Sequence, residues 1–232
     1  MKQRFANLLL VAISCHLIMP VAVAQKKSIN PGINRSYENP DVKKYIGRFE
    51  QEGRDVYDHR HAVVKACNMK PGATVADIGA GTGLFTRMFS PLVGAQGRIY
   101  AVDISEKFVK HIEKTAEKDG LTNITGVICS QDSVRLPPGS VDLAFICDTY
   151  HHFEFPQKTM RSIHRALKPV GQLILIDFHR IEGVSPAWTL KHLRAGQKVF
   201  VQEIEKAGFR QVEEKKGLMK HSYFVRFVKV KK

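Results

Sequence analysis

The residues able to do chemistry in this chain fall into two groups, a glycine-rich turn and a set of histidines and carboxylates that follow apolar segments. Val75, Ala76, Asp77 and Ile78 read as a buried strand running into Gly79, Ala80, Gly81, Thr82 and Gly83. Three glycines on alternate positions let the backbone approach a ligand where any Cβ would collide, and the following Leu84 to Phe89 has helical character. Such a turn predicts the cradle of a nucleotide-like cofactor. A dinucleotide fingerprint would need glycine at position 84, which is Leu84, so the spacing fits a cofactor of another kind. A second apolar segment closes on Ala101, Val102, Asp103 and Ile104, about 20 residues past the glycines, which is the length of one strand-helix-strand unit; a carboxylate there can accept both hydroxyls of a ribose.

Asp148, Thr149, Tyr150, His151 and His152 come straight after the apolar run Val141 to Cys147, and Asp177, Phe178, His179 and Arg180 end another. Imidazole titrates near neutral pH, so His151 and His152 are candidate general bases, with Tyr150 and His179 as further candidate catalytic groups. Together with Cys147 and Asp148 the histidines make a conceivable metal set. Adjacent histidines on an extended segment point apart, however, and no helical His-x-x-x-His pair completes a site, so no metal is expected.

The glycine turn and Asp103 resemble the class I S-adenosylmethionine-dependent methyltransferases, and other segments are similar in turn. Asp132, Ser133, Val134, Arg135, Leu136 and Pro137 look like that family's acid-loop-Leu-Pro segment, Val141 to Ile146 like its fourth strand, and Arg165 to Gly171 before Gln172 to Phe178 like its helix, Lys-Pro turn and fifth strand. Val170 departs from the glycine usual there. The similarity runs from about Thr74 to Phe178 and is closest to the small-molecule, quinone-biosynthesis-like branch. It implies that Asp77 and the Gly79 to Gly83 loop hold the methionine portion, Asp103 the ribose, and Ile104 one adenine face. By the same resemblance Gln131, Asp132 and Ser133 meet the adenine, and Asp148 also belongs to the cofactor set.

Around these groups, strand signals near Thr74 to Ile78, Arg98 to Ile104, Asn123 to Cys129, Val141 to Cys147 and Gln172 to Phe178 alternate with helical ones. Alternation of this kind predicts an α/β fold with a doubly wound, mostly parallel sheet and helices on both faces. The clearest helix has Ser105 as cap, Phe108, Val109, Ile112 and Ala116 on one side, and Gly120 past its end. Asn39 before Pro40 predicts the start of leading helices over the cofactor, and Trp188 to Ala207 reads as one helix. Two terminal strands, Phe209 to Lys215 and Tyr223 to Val230, would complete the seven-stranded, Rossmann-like sheet that the resemblance implies, its last strand antiparallel.

At 232 residues the chain has room for one such domain, expected over 40–232. Residues 1–24, with Lys2 and Arg4 before an apolar run ending in Ala22, Val23 and Ala24, read as a cleavable signal peptide, and residues 25–39 as a flexible polar linker. Export or the periplasm is therefore expected, the alternative being an uncleaved anchor that keeps the domain cytoplasmic. Four cysteines, one of them in the leader, do not make a disulfide scaffold. A net charge of +14 attracts anions, and its dispersal reads as a solvated surface. The expected function is methyl transfer from S-adenosylmethionine to a small-molecule or lipid-like acceptor, with nucleic acid not expected as partner. The alternatives are a nucleic-acid or protein methyltransferase and a non-catalytic cofactor-binding module. Candidate lid and cap residues are Glu50, Arg54, Asp55, Tyr57, Trp188, His192 and Arg194.

Overall fold

A computed structural model describes residue 25 and residues 27–230; the expected leader lies outside them. Seven strands, β1 (Thr74–Ile78), β2 (Arg98–Asp103), β3 (Ile124–Ile128), β4 (Val141–Cys147), β5 (Leu167–Phe178), β6 (Phe209–Glu214) and β7 (Ser222–Lys229), form one sheet in the order β3-β2-β1-β4-β5-β7-β6. The first five pair in parallel, and β7 runs antiparallel to both β5 and β6. The doubly wound, mostly parallel sheet with an antiparallel last strand is therefore the one expected.

Period-2 alternation sends neighbouring strand residues into two separate cores. Ala76, Ile78, Ala144, Ile146, Leu173 and Leu175 pack with Met160 and Ile163 of α7 (Pro156–Ala166) and with Phe200 and Ile204 of α9 (Gln197–Lys206). Val75, Phe145, Ile174 and Ile176 face the other way, onto Val63 and Cys67 of α4 (Arg60–Cys67) and Phe85 and Phe89 of α5 (Leu84–Val93). A strand buried on both faces must be apolar throughout, which is why these runs were readable. The helix α6 (Glu106–Lys118) buries Phe108, Val109, Ile112 and Ala116.

Four local expectations are corrected. Residues 27–39, within the expected 25–39 linker, are no loose segment, because Ile29 N donates to Glu154 O at 2.9 Å, Gly32 N donates to the Glu154 carboxylate at 3.1 Å, and Asn34 is buried just ahead of α1 (Arg35–Glu38). The next helix, α2 (Val42–Phe49), is capped by Asp41, whose carboxylate accepts from Lys44 N, and Asn39 lies outside it. The expected helix from Trp188 to Ala207 is two, α8 (Ala187–His192) and α9. The chain turns between them where the Arg194 guanidinium forms a two-pronged ion pair with Glu203 and Arg180 takes the carbonyls of Leu190 and Leu193. Ser105 sits at the α6 cap position, but its hydroxyl makes no hydrogen bond there, while its N–H donates to Asp103.

Candidate active site

The strand order reverses between β1 and β4, and the crevice beyond their carboxyl ends is where a doubly wound sheet takes its ligand. A cavity of about 960 Å³ opens there. One wall is the glycine turn. Gly79 has φ +73°, and a Cβ on it would collide with the Thr149 side chain; Gly81, at φ +54°, would put one 3.4 Å from the Phe49 ring. The turn is pinned from beneath, since Gly79 N and Ala80 N donate to Val102 O and Gly81 N donates to Asp103 Oδ2 at 2.9 Å. From above it is tied to Glu50, which accepts from the Thr82 hydroxyl and from Arg87, each at 2.7 Å. Gly83 belongs to a different task and does not line the cavity. At φ +81° its missing Cβ leaves room for Ile112, 2.7 Å from where that atom would be.

Asp77 and Asp103 are buried under this turn and line the cavity. Burial pushes the Asp77 carboxyl up to about 7, against the Thr86 hydroxyl that donates to it at 2.6 Å and with the nearby Asp103 charge. Asp103 is pushed by burial to about 6, held from going further by the N–H groups of Ser105, Gly81 and Ile104. Ile104 and Gln131 also face the cavity. Asp132 and Ser133 do not. The Asp132 carboxylate, 42% exposed, is turned to the Ser130 hydroxyl and to Lys158, which satisfy it outside the cavity.

The second wall follows β4. Asp148, at φ +48°, pairs with Arg54 at 2.6 Å through one oxygen, while its other oxygen is buried with no partner. Tyr150, His151 and His152 then make a 3-10 turn rather than an extended segment, which corrects the premise that the two histidines diverge: their ring centroids lie 4.3 Å apart. Tyr150 is a core residue, fully buried against Phe153 and Phe200, and donates to Glu203 at 3.1 Å. It does not line the cavity and is no catalytic candidate. His151 does line it, and its Nδ1 lies 2.8 Å from the fully buried Asp177 carboxylate at the end of β5. Burial draws the His151 imidazole down, but Asp177 by charge and hydrogen bond, with Asp148, outweighs it and leaves the ring raised. His152 is depressed to about 2, first by burial and then by the positive field of His151, His192 and Arg48. His179 lines the cavity against Tyr223, its imidazole lowered mainly by burial.

Asn34, Tyr37, Ile181 and Val184, which the sequence reading passed over, complete the enclosure with residues it had named. Asn34 donates to the Gln131 side chain at 2.8 Å and to His152 O at 3.0 Å, and Tyr37 stands edge-on to the His152 ring. The signal available was an aromatic inside a polar stretch. Phe178, with Trp188 edge-on to it at 5.2 Å, and the exposed Ile181 and Val184 make the apolar side. Asp55 accepts N–H bonds from Lys220, His221 and Ser222, clamping α3 (Asp55–Asp58) onto the β6–β7 connection. Tyr57 instead stacks under Arg60 and does not line the cavity.

Comparison with known proteins agrees with this geometry. Residues 76–175 match a family model described as a methyltransferase domain. The ubiquinone/menaquinone biosynthesis C-methyltransferase of Hydrogenovibrio crunogenus is 28% identical over 171 residues, 67% of this chain and 66% of that protein. Its Escherichia coli counterpart is 30% identical over 128 residues, 54% of this chain and 51% of that protein. The chain thus spans between half and two thirds of the curated relatives it matches. Among solved structures, a SAM-dependent methyltransferase from Aquifex aeolicus is 26% identical with a TM-score of 0.73, covering 83% of this chain and all of that one.

Proposed function

We propose that this chain, whose residues 76–175 form a class I S-adenosylmethionine-dependent methyltransferase domain, moves a methyl group to a small, ring-bearing, lipid-like acceptor. The observation that carries the reading is that a cofactor cradle and a buried histidine-carboxylate pair open on one cavity with an aromatic, apolar mouth. Two features fit the cofactor: a glycine turn whose bare backbone lines the cavity, and the buried Asp148 oxygen left without a partner in the protein. Asp77 and the Gly79 to Thr82 backbone would hold the amino-acid end, Asp103 the ribose and Ile104 the base. When bound, S-adenosylmethionine supplies a methyl group on an excellent leaving group.

Positioning is then the main task left to the protein, and holding two reactants at near-attack distance lowers a barrier by roughly 7–11 kcal/mol. Phe178 and Trp188 would orient a flat acceptor. His151, fixed through Nδ1 by Asp177, presents its other nitrogen to take a proton from an acceptor hydroxyl. The names of the relatives support a quinone precursor as the acceptor class. The test is production of S-adenosylhomocysteine from a panel of hydroquinones and phenols of increasing alkyl length. Turnover that rises with chain length supports the reading; turnover on peptide or RNA alone would replace it.

The location of the domain belongs to the same proposal. The charged-then-apolar residues 1–24, with small residues before Gln25, support export by a cleaved leader, with an anchored cytoplasmic form as the competing outcome.

A further inference from the structure

We propose that His151, His152 and His192 form a binding site for one divalent metal ion of the zinc class, open toward the cavity. One ligand atom from each of the three lies within 4.8 Å of the others. The Nε2 atoms of His152 and His192 are 3.4 Å apart, and a tetrahedral ion with bonds of about 2.0–2.1 Å separates two ring nitrogens by about 3.3 Å. Three histidine ligands with the fourth position left to water or substrate is the arrangement of catalytic zinc.

The surroundings favour a cation there. His151 is backed by Asp177, the carboxylate behind a ligating imidazole that fixes its orientation and strengthens it as a donor. Asp177 is itself locked by the N–H groups of His151 and Phe178. His152 has no hydrogen-bond partner in the protein for Nδ1, and its Nε2 meets only another imidazole. Asp148, itself paired with Arg54, adds a second negative charge near His151, partly offset by the guanidiniums of Arg194 and Arg48 that also act on the cluster. Two elements far apart in sequence build the site, the 3-10 turn after β4 and the end of α8.

The site stands on its own geometry; its role rests on the methyl-transfer reading. An ion among the three rings would bind the acceptor's hydroxyl oxygen and lower its pKa, so that its proton passes to solvent water and the acceptor meets the methyl donor as an anion, the donor's sulfur leaving with the bond pair as S-adenosylhomocysteine, in place of proton removal by a free His151.

The experiment uses the full-length, tag-free chain, stripped with a chelator and titrated with Zn²⁺ or Co²⁺. The expected result is uptake of one ion per chain, with the visible absorption of four-coordinate Co²⁺. His192→Ala, on an exposed ring, should abolish stoichiometric uptake, and Asp177→Asn should weaken it by about 10–100-fold. Substoichiometric uptake by the parent chain, or the same uptake in His192→Ala, would overturn the site. Calorimetric binding of S-adenosylhomocysteine to the metal-free parent is the separate readout. Its absence would sink the methyltransferase reading and leave a metal site standing, whereas cofactor binding without metal uptake would sink the metal site alone.

Discussion

Asp77 and Asp103 carry the electrostatics of this site, because each is a carboxyl buried without a cationic side chain beside it. Both are raised above the ordinary 3.8, so between that value and about 7 for Asp77 or about 6 for Asp103 the folded protein binds more protons than the unfolded chain. Stability of the cofactor-free protein from these groups is therefore present at low pH and is lost as pH rises through 6 to 7. On the proposed placement of the cofactor's ammonium at Asp77, affinity for the cofactor should move the opposite way, rising as Asp77 ionises. Taken as the difference between the parent and Asp77→Asn, so that the histidines cancel, thermal unfolding and calorimetry from about pH 4 to about pH 8 should give opposed trends, and parallel trends would remove Asp77 from that role. Asp103→Ala should weaken cofactor binding by about 1–3 kcal/mol, the cost of unmade bonds to a buried polar partner; unchanged affinity in the same titration would reassign the residue. Tyr150→Phe should lose about 1 kcal/mol of stability with its Glu203 bond and keep full turnover, since the ring is core and the hydroxyl never reaches the cavity.

At the scale of elements, the glycine turn divides into residues that line the cavity and one that makes room for a helix. Gly83→Ala meets both a left-handed backbone, costing about 1–2 kcal/mol, and the Ile112 side chain, costing about 1–3 kcal/mol more if the core cannot yield. Gly53→Ala, at φ +86° with nothing within 4 Å, meets only the first cost. Denaturant unfolding should therefore rank Gly83→Ala well below Gly53→Ala, and equal losses would mean that Ile112 moves aside freely. The glycine spacing marked this turn in the sequence, but the purpose of each glycine depended on the side chain the fold brought against it, Thr149 at Gly79, Phe49 at Gly81 and Ile112 of α6 at Gly83. The elements that sequence reading misplaced, the segment 25–39 and the break between α8 and α9, are those held by side-chain bonds to distant partners. Glu154 and Gln131 hold the first, Arg180 and Glu203 the second. Local polarity and apolar periodicity carry no trace of such partners.

For the whole molecule, a chain with this cradle and a charge of +14 has to be placed relative to a membrane and to its cofactor supply. Among the described residues no helix is long and apolar enough to cross a membrane. If the leader is cleaved, the intact mass of the soluble exported protein should correspond to a chain beginning at Gln25; a membrane-bound species retaining Lys2 would instead establish the anchored form. By itself the sequence determined the sheet, because strands buried on both faces must be continuously apolar, and it determined the cofactor cradle, because alternating glycines before a helix and an acid one unit later are local patterns. Tertiary structure alone decided which groups reach the cavity. It turned Asp132 outward to Lys158 and sank Tyr150 into the core. It also wound Tyr150–His152 into a 3-10 turn and carried His192 in from α8 to meet it. The direction of a side chain at a strand's end is set by what the rest of the fold packs against it, and that packing joins residues tens of positions apart.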